Sequence, residues 1–265
     1  WHAMSSQKES TVRTLTVALL VCLVCSVFVA GAAVALRPTQ LENRQLDKQR
    51  SILAIAGLGE AGMSANQVKA LYNERIIAKL VDLETGTFSD EFDPQTFDPL
   101  VAAKDPALSE ALPGSEDIAS IKRRERYSTV YIVEEDGQLD TLILPVRGYG
   151  LWSTLYGFMA VKGDLDTIAG FGFYQHGETP GLGGEVDNPK WRGLWTGKEL
   201  FDDNDKLAIQ IVKGNVDPQS AKADHQVDGL AGATLTSNGV NNLLHFWLGE
   251  NGFGTFIAKL RTGEA

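Results

Sequence analysis

Residues 228–237 read DGLAGATLTS, and a helical pattern follows them directly. Apolar residues recur from here at the spacing of one buried helical face, at Val240, Leu243, Leu244, Trp247 and Leu248. Gly249 ends the pattern. The spacing predicts a helix whose N-terminus lies inside this stretch, with Thr236 or Ser237 as its cap. Gly232, Ala233 and Thr234 would then form a tight turn of small residues at the helix start.

The predicted turn presents a helix N-terminus to an anion. Such an end has unpaired backbone N–H groups and a partial positive charge, which suit a phosphate. No Lys follows the glycine, so the phosphate-loop signature of nucleotide hydrolases is absent. The stretch contains neither Lys nor Arg, so backbone N–H groups would have to meet the phosphate charge. Spacing alone equally allows a capped helix that follows a glycine turn and binds nothing.

Residues 228–234, DGLAGAT, resemble the Asp-x-x-(Ser/Thr)-Gly-Ala-Thr signal of the covalent FMN-binding domain family. In that family a flavin transferase joins the phosphate of FMN to the last Thr of the signal as a phosphoester. The resemblance implies covalent FMN on Thr234, with Thr236 as the competing hydroxyl. Ala231 stands where the family usually has Ser or Thr, which removes one possible hydrogen bond to the phosphate. The further cofactor contacts implied here are Asp228, Gly232, Ala233, Leu235, Thr236 and Ser237.

Two glycine-rich loops precede this motif. Residues 148–152 read GYGLW and residues 176–186 read HGETPGLGGEV, so their backbones can approach a ligand closely. Composition alone favours two ordinary turns. Both loops, however, resemble the flavin-ring loops of the same family, and the resemblance covers about residues 121–254. It implies ring contacts from Gly150, Leu151, Trp152, Glu178, Thr179, Gly181, Leu182 and Gly183. Glu178 and Thr179 are expected to bond polar ring edges, and Leu182 to lie on a ring face.

The histidines do not predict a metal site. His2, His176, His225 and His245 have no metal-ligand spacing. His176, beside the second loop, could tune the flavin potential through its charge, or it could have no role in the site. The family resemblance implies a domain that carries FMN for electron transfer. Such a domain needs no general acid, base or substrate pocket, so we predict neither catalytic residues nor a complete active site.

Residues 15–36 are almost continuously apolar and carry no charge. At about 1.5 Å per residue this segment spans a hydrocarbon core of roughly 30 Å, which predicts one transmembrane helix within residues 11–36. A secretory signal peptide is the alternative, because Arg13 precedes the run, but its apolar core is usually only ~7–15 residues long. Residues 1–10 form the predicted tail, in which Trp1 to Ala3 precede Met4 and resemble a cloning remnant.

The charges beside the span indicate its orientation only weakly, and they favour the orientation opposite to the one that the family resemblance implies. Two basic residues precede the span and four follow it, namely Lys8 and Arg13, then Arg37, Arg44, Lys48 and Arg50. Taken literally, the positive-inside rule puts the large domain in the cytoplasm, although long domains translocate largely regardless of charge. The family resemblance implies a periplasmic domain, and we follow it. The only cysteines, Cys22 and Cys25, lie within the span and cannot complete a zinc or iron–sulfur site by themselves.

The predicted fold is α+β, with a single N-terminal transmembrane helix followed by an extramembrane domain of antiparallel sheet and packed helices. Residues 37–120 form the predicted membrane-proximal region, with helices at 38–57 and 65–81 and a loop layer at 84–114. Residues 121–265 form the predicted FMN-binding domain. Its strands are expected at 129–133 and 139–146, which form a hairpin, and at 154–161, 168–174 and 207–212.

Within the family, the FMN-bearing subunits of sodium-translocating NADH:quinone oxidoreductases resemble the chain best. The single span, the run HGETPGLGGEVDNPKW at residues 176–191 and the sequence GATLTSNGV leading to FWLGENGFG carry this resemblance. It implies a subunit of the bacterial inner membrane that relays single electrons between other cofactors of a respiratory complex. Its implied partners are the other subunits and, during maturation, a flavin transferase.

The sequence also allows two alternative functions. One is the corresponding FMN subunit of the related ferredoxin:NAD oxidoreductase complex, which the long insert at residues 38–114 disfavours. The other is a flavin-free, membrane-anchored assembly module in which the turn is structural. A freestanding flavin reductase is disfavoured because the sequence has no nicotinamide-binding glycine fingerprint. The net charge of −10 argues against binding nucleic acid, and 265 residues suffice for one domain and the anchor.

Overall fold

The computed structural model describes residues 10–60 and 62–265. The predicted cloning remnant and nearly all of the predicted tail at residues 1–10 lie outside the described residues. The chain divides into two compact units, of which the first ends at Leu46 and the second runs from Asp47 to Ala265.

The first helix, α1, extends from Thr11 to Ile55 and continues through Pro38. It contains the predicted span and is the one helix in the described part of the chain that is long and apolar enough to cross a membrane. Its apolar side chains in the span are exposed, for example Phe28 at 74%. The predicted helix at residues 38–57 is confirmed as the continuation of α1.

The main sheet of the second unit has the strand order β2-β1-β5-β6-β7-β8, and every neighbouring pair is antiparallel. Its strands are β1 (Ile77–Asp82), β2 (Thr87–Ser89), β5 (Tyr127–Glu135), β6 (Gln138–Tyr149), β7 (Thr154–Lys162) and β8 (Ile168–Gln175). Among the described residues, four short strands lie outside it: β3 (Ser109–Ala111) with β4 (Arg123–Glu125), and β9 (Gln210–Ile211) with β10 (Gln226–Val227). The predicted α+β fold with an antiparallel sheet is confirmed.

The other helices are α2 (Ala65–Arg75), α3 (Pro99–Ala102), α4 (Pro189–Gly193), α5 (Thr234–Leu248) and α6 (Gly254–Thr262). Two 3-10 helices occupy Gly183–Asp187 and Ala223–His225. The helix predicted from the 240–248 periodicity is α5, and Gly249 ends it as expected.

Three secondary-structure predictions need correction. The predicted helix at 65–81 ends at Arg75, because residues 77–82 pair with β5 and β2 and this pairing overrides helical spacing. The predicted loop at 84–114 contains β2, α3 and β3. The predicted strand at 207–212 is only the two-residue β9, which pairs in parallel with β10 away from the main sheet.

One face of the sheet packs against α5 and α6 and forms the main core. Strand side chains such as Val130, Ile132 and Val146 join Leu243 and Phe256 in one buried cluster. The indole Nε1 of Trp247 donates to the carbonyl oxygen of Arg147 at 2.7 Å, which ties α5 to β6.

The opposite face is covered by the end of α1 and by α2. Tyr131 alternates with Val130 and Ile132 along β5, so its ring lies on this face, where it contacts the ring of Tyr72 at 6.4 Å between centroids. Ile52, Leu53 and Ile55 of α1 are buried as well. The sheet is therefore a middle layer, and the ends of β6, β7 and β8 carry the two glycine-rich loops.

Candidate functional site

The first turn of α5 has no side-chain cap. Its N-cap residue is Ala233, and Thr234 is its first residue. The predicted capping by Thr236 or Ser237 is therefore wrong, because both lie inside the first turn. Gly232 adopts a φ of 72°, in the left-handed region that glycine favours, and turns the chain into the helix. The amides of residues 234–236 have no acceptor within α5, as at any helix start.

The two candidate hydroxyls of this turn differ in exposure. Thr234 is exposed, whereas Thr236 is fully buried. The Thr236 hydroxyl donates to Oε2 of Glu178 at 2.7 Å. The Ser237 hydroxyl oxygen accepts a hydrogen bond from the amide of Leu230 at 3.0 Å. Thr234 thus carries the reachable hydroxyl, while Thr236 and Ser237 hold the turn together.

Glu178 lies at the centre of the site. Its side chain is buried, and its Oε1 accepts from the amides of Leu151, Trp152 and Ser153 while Oε2 accepts from Thr236. Burial raises the pKa of Glu178, but the amide and hydroxyl donors outweigh it and hold the pKa below its usual value. The carboxylate is therefore ionised at neutral pH, and both of its oxygens are engaged inside the protein.

The apolar residues predicted to contact the cofactor are exposed. Leu151, Trp152 and Leu182 of the two loops are 38%, 66% and 46% exposed, and Leu235, next to Thr234 in the chain, is 59% exposed. Leu182 lies directly against the turn, since a Cβ at Gly232 would be 3.3 Å from its Cδ2 atom. A group of large exposed apolar side chains beside a helix N-terminus suits a flat ring that carries a phosphate.

The remaining part of the 176–186 loop is a tight turn. The carbonyl oxygen of Thr179 accepts from the amides of Leu182 and Gly184, and Gly181 has a φ of 76°. Thr179 and Gly181 are both exposed in this loop. These contacts shape the loop that presents Leu182, and hydrogen bonding of Thr179 to a ring remains a prediction.

Asp228, the first residue of the 228–237 stretch, is hydrogen-bonded to the loop before this stretch and to α4. Its Oδ1 accepts from the amide of Val216 at 2.8 Å, and its carbonyl oxygen accepts from the indole Nε1 of Trp191 at 2.8 Å. The structure therefore uses both groups within the protein, and a direct contact of Asp228 with a cofactor remains a prediction. The role of Trp191 was missed, although it ends the sequence run that carries the resemblance.

His176 is held by its neighbours. Its Nε2 lies 2.7 Å from Oδ2 of Asp187, and the amide of Glu178 donates to its Nδ1 at 3.2 Å. The hydroxyl of Ser153, a second residue that sequence reasoning missed, accepts from the amide of Gly177 at 2.6 Å. The part of the chain that the structure describes contains no cluster of three potential metal ligands.

A known domain family covers the residues of the candidate site. The model of the FMN-binding domain family matches residues 150–249, which contain both the second loop and the first turn of α5. The fold and the site thus define a protein with an FMN-binding domain.

Relatives that match almost the whole chain show which family within this class it belongs to. The NqrC subunit of the Na(+)-translocating NADH-quinone reductase of Pseudomonas aeruginosa is 77% identical over 98% of this chain and 100% of its own length. Its counterpart in Yersinia pestis is 52% identical, over 96% of this chain and 95% of its own. The crystal structure of Shewanella oneidensis NqrC gives a TM-score of 0.74 at 38% identity, covering 83% of this chain and 98% of that one. The chain belongs to the family of NqrC subunits of the Na(+)-translocating NADH-quinone reductase.

Proposed function

We propose that the chain carries FMN joined through its phosphate to Oγ1 of Thr234, as a phosphoester, and relays electrons within its respiratory complex. The observation that carries the proposal is the contrast between two hydroxyls on one helix turn. Thr234 is exposed at an uncapped helix start, while the Thr236 hydroxyl is buried and donates to Glu178. A transferase that must reach a hydroxyl can reach only the first.

The residues present fit a phosphate and a flat ring. The amides of residues 234–236 have no acceptor within α5 and can donate to phosphate oxygens, and the helix dipole favours negative charge there. Leu151, Trp152, Leu182 and Leu235 are exposed apolar side chains that would cover parts of the ring and exclude water there. The isoalloxazine supplies the redox chemistry, whereas the protein supplies attachment, orientation and electrostatics. A covalent bond also prevents loss of the flavin in a compartment where it could not be replaced.

The partners follow from the family. The relatives are named as subunits of an NADH-quinone reductase, so we propose that this chain assembles with other subunits of such a complex in the bacterial inner membrane. Helix α1 would anchor it through residues 11–36, residues 37–120 would adjoin the membrane, and the FMN-binding domain at 121–265 would lie in the periplasm. Membership of this family favours the sodium-translocating complex over the related ferredoxin:NAD complex.

Mass spectrometry of the denatured chain tests the attachment. The chain is co-produced with a flavin transferase, in the original sequence and as Thr234→Val and Thr236→Val. We expect the original chain and Thr236→Val to gain the mass of one FMN less one water, on a peptide that contains Thr234. Thr234→Val should gain nothing. An unmodified original chain, with the transferase active on a control protein, would favour the flavin-free assembly module. An adduct on Thr236 in the original chain would refute the assignment to Thr234.

A further inference from the structure

The Glu178 carboxylate collects four donors from two distant parts of the chain. Oε1 accepts from the amides of Leu151, Trp152 and Ser153 at 3.1, 3.0 and 3.3 Å. Oε2 accepts from the hydroxyl of Thr236 at 2.7 Å. The residue is only 5% exposed. Buried carboxylates are stable when such donors satisfy both oxygens, and hydrogen bonds to an ionised acceptor are about twice as strong as neutral ones.

The geometry points to Glu178 as a positioning residue that fixes the 150–153 loop on the first turn of α5. One oxygen holds the loop and the other holds the helix turn, so a single rigid group sets the distance between them. Leu151 and Trp152 are thereby fixed relative to the helix turn that carries Thr234. This inference rests on the proposed function, because the flavin on Thr234 is what would use those side chains. The role differs from the predicted hydrogen bond between Glu178 and a ring edge.

Two glycines make room for this carboxylate. A Cβ at Gly150 would lie 2.6 Å from Oε1 of Glu178. A Cβ at Gly183 would lie 2.5 Å from Oγ1 of Thr236 and 2.7 Å from Oε2 of Glu178. Real Cβ atoms do not approach other heavy atoms so closely, so each glycine is needed for the carboxylate to reach its donors. The glycines of both loops therefore serve the carboxylate as well as a ligand.

Hydrogen exchange of the flavin-free full chain tests the role directly, because three of the four donors are backbone amides. The variants are Glu178→Ala, Glu178→Gln and the matched control Glu185→Gln, which removes the same charge from the same loop. Glu185 accepts from the side chain of Asn188 at 2.7 Å and takes no part in the contacts of Glu178.

We expect Glu178→Ala to speed exchange in the peptide that contains residues 150–153 by at least about tenfold, since three amides lose a charged acceptor at once. Peptides from β5 and β6 should be unchanged. Glu178→Gln keeps a neutral acceptor, so its increase should be smaller but measurable, and Glu185→Gln should show none. Unchanged exchange in Glu178→Ala, or an equal increase in the control, would overturn the inference. If Glu178→Ala does not fold, the absence of any increase in Glu178→Gln overturns it.

Flavin fluorescence gives a second readout that loss of stability alone would not move. In folded, flavinylated Glu178→Ala the adduct should remain on Thr234, while emission should rise because the predicted contact of Trp152 with the ring, which quenches emission, would be lost. Emission equal to that of the original chain would contradict the positioning role. If the original chain takes no flavin, the proposed function fails, whereas the exchange experiment still decides whether Glu178 fixes the loop.

Discussion

Helices α2 and α5 begin in opposite ways. α2 has a complete capping box, in which the Ser64 hydroxyl oxygen accepts from the amide of Gln67, and the Gln67 side chain accepts from the amide of Ser64. α5 begins after Ala233 without any side-chain cap, although three hydroxyl residues lie in its first turn. α2 therefore has a side-chain acceptor for an amide of its first turn, whereas α5 has none.

Burial explains how α5 can do without a cap. α2 buries only Val68, whereas α5 buries nine of its fifteen residues against the sheet. Most helical stability in proteins comes from packing of an apolar face, so α5 tolerates an unsatisfied N-terminus that a less buried helix would not. A cap is therefore not needed to hold α5, and its uncapped start is free to serve the phosphate of the proposed flavin.

The largest loss of stability should follow from a substitution that removes packing contacts of α5. Leu244 is fully buried in the main core, so Leu244→Ala should lower the free energy of unfolding by about 2–5 kcal/mol. Urea denaturation measures this change. The control Asn242→Ala, at an exposed position of the same helix, should change the value by no more than about 0.5 kcal/mol. A small loss in Leu244→Ala would mean that packing does not hold α5.

A smaller effect should follow from removal of the α2 cap. Ser64→Ala leaves the Gln67 amide without its side-chain acceptor and should cost about 1 kcal/mol. The same denaturation experiment measures it, with the exposed Asn73→Ala as control. Flavin attachment should be unaffected. Reduced attachment in Ser64→Ala would show that the two helix starts are coupled, and would contradict the conclusion that they act independently.

The features of this comparison that depend on local sequence were predictable. The repeat of apolar residues from Val240 to Leu248 predicted α5, and Gly249 marked its end. Two β-rich runs separated by the turn residues around Asp136 and Gly137 predicted the β5–β6 hairpin. In both cases neighbouring residues carry the signal, and no distant contact alters it.

The features that depend on distant residues were not predictable. Thr236 does not cap α5, because Glu178, distant in sequence, accepts from its hydroxyl. Likewise, residues 77–81 follow helical spacing but form β1, because Val81 pairs with Ser128 across the sheet. The missed role of Glu178 has the same origin, since its four donors come from the 151–153 loop and from α5. The sequence could suggest residues for the candidate site, but it could not show which hydrogen-bond partners their side chains have in the fold.

The smallest effect we expect is the binding of inorganic phosphate to the flavin-free chain. A helix N-terminus attracts an anion by only about 0.3–1 kcal/mol at an exposed site, so binding should be in the millimolar range or weaker. NMR of the full chain in detergent should show amide shifts at residues 234–236 but none at residues 65–67, whose helix start already has its capping box. Chloride at equal ionic strength is the control. Equal shifts at both helices would mean that the missing cap of α5 does not make its amides more available to an anion.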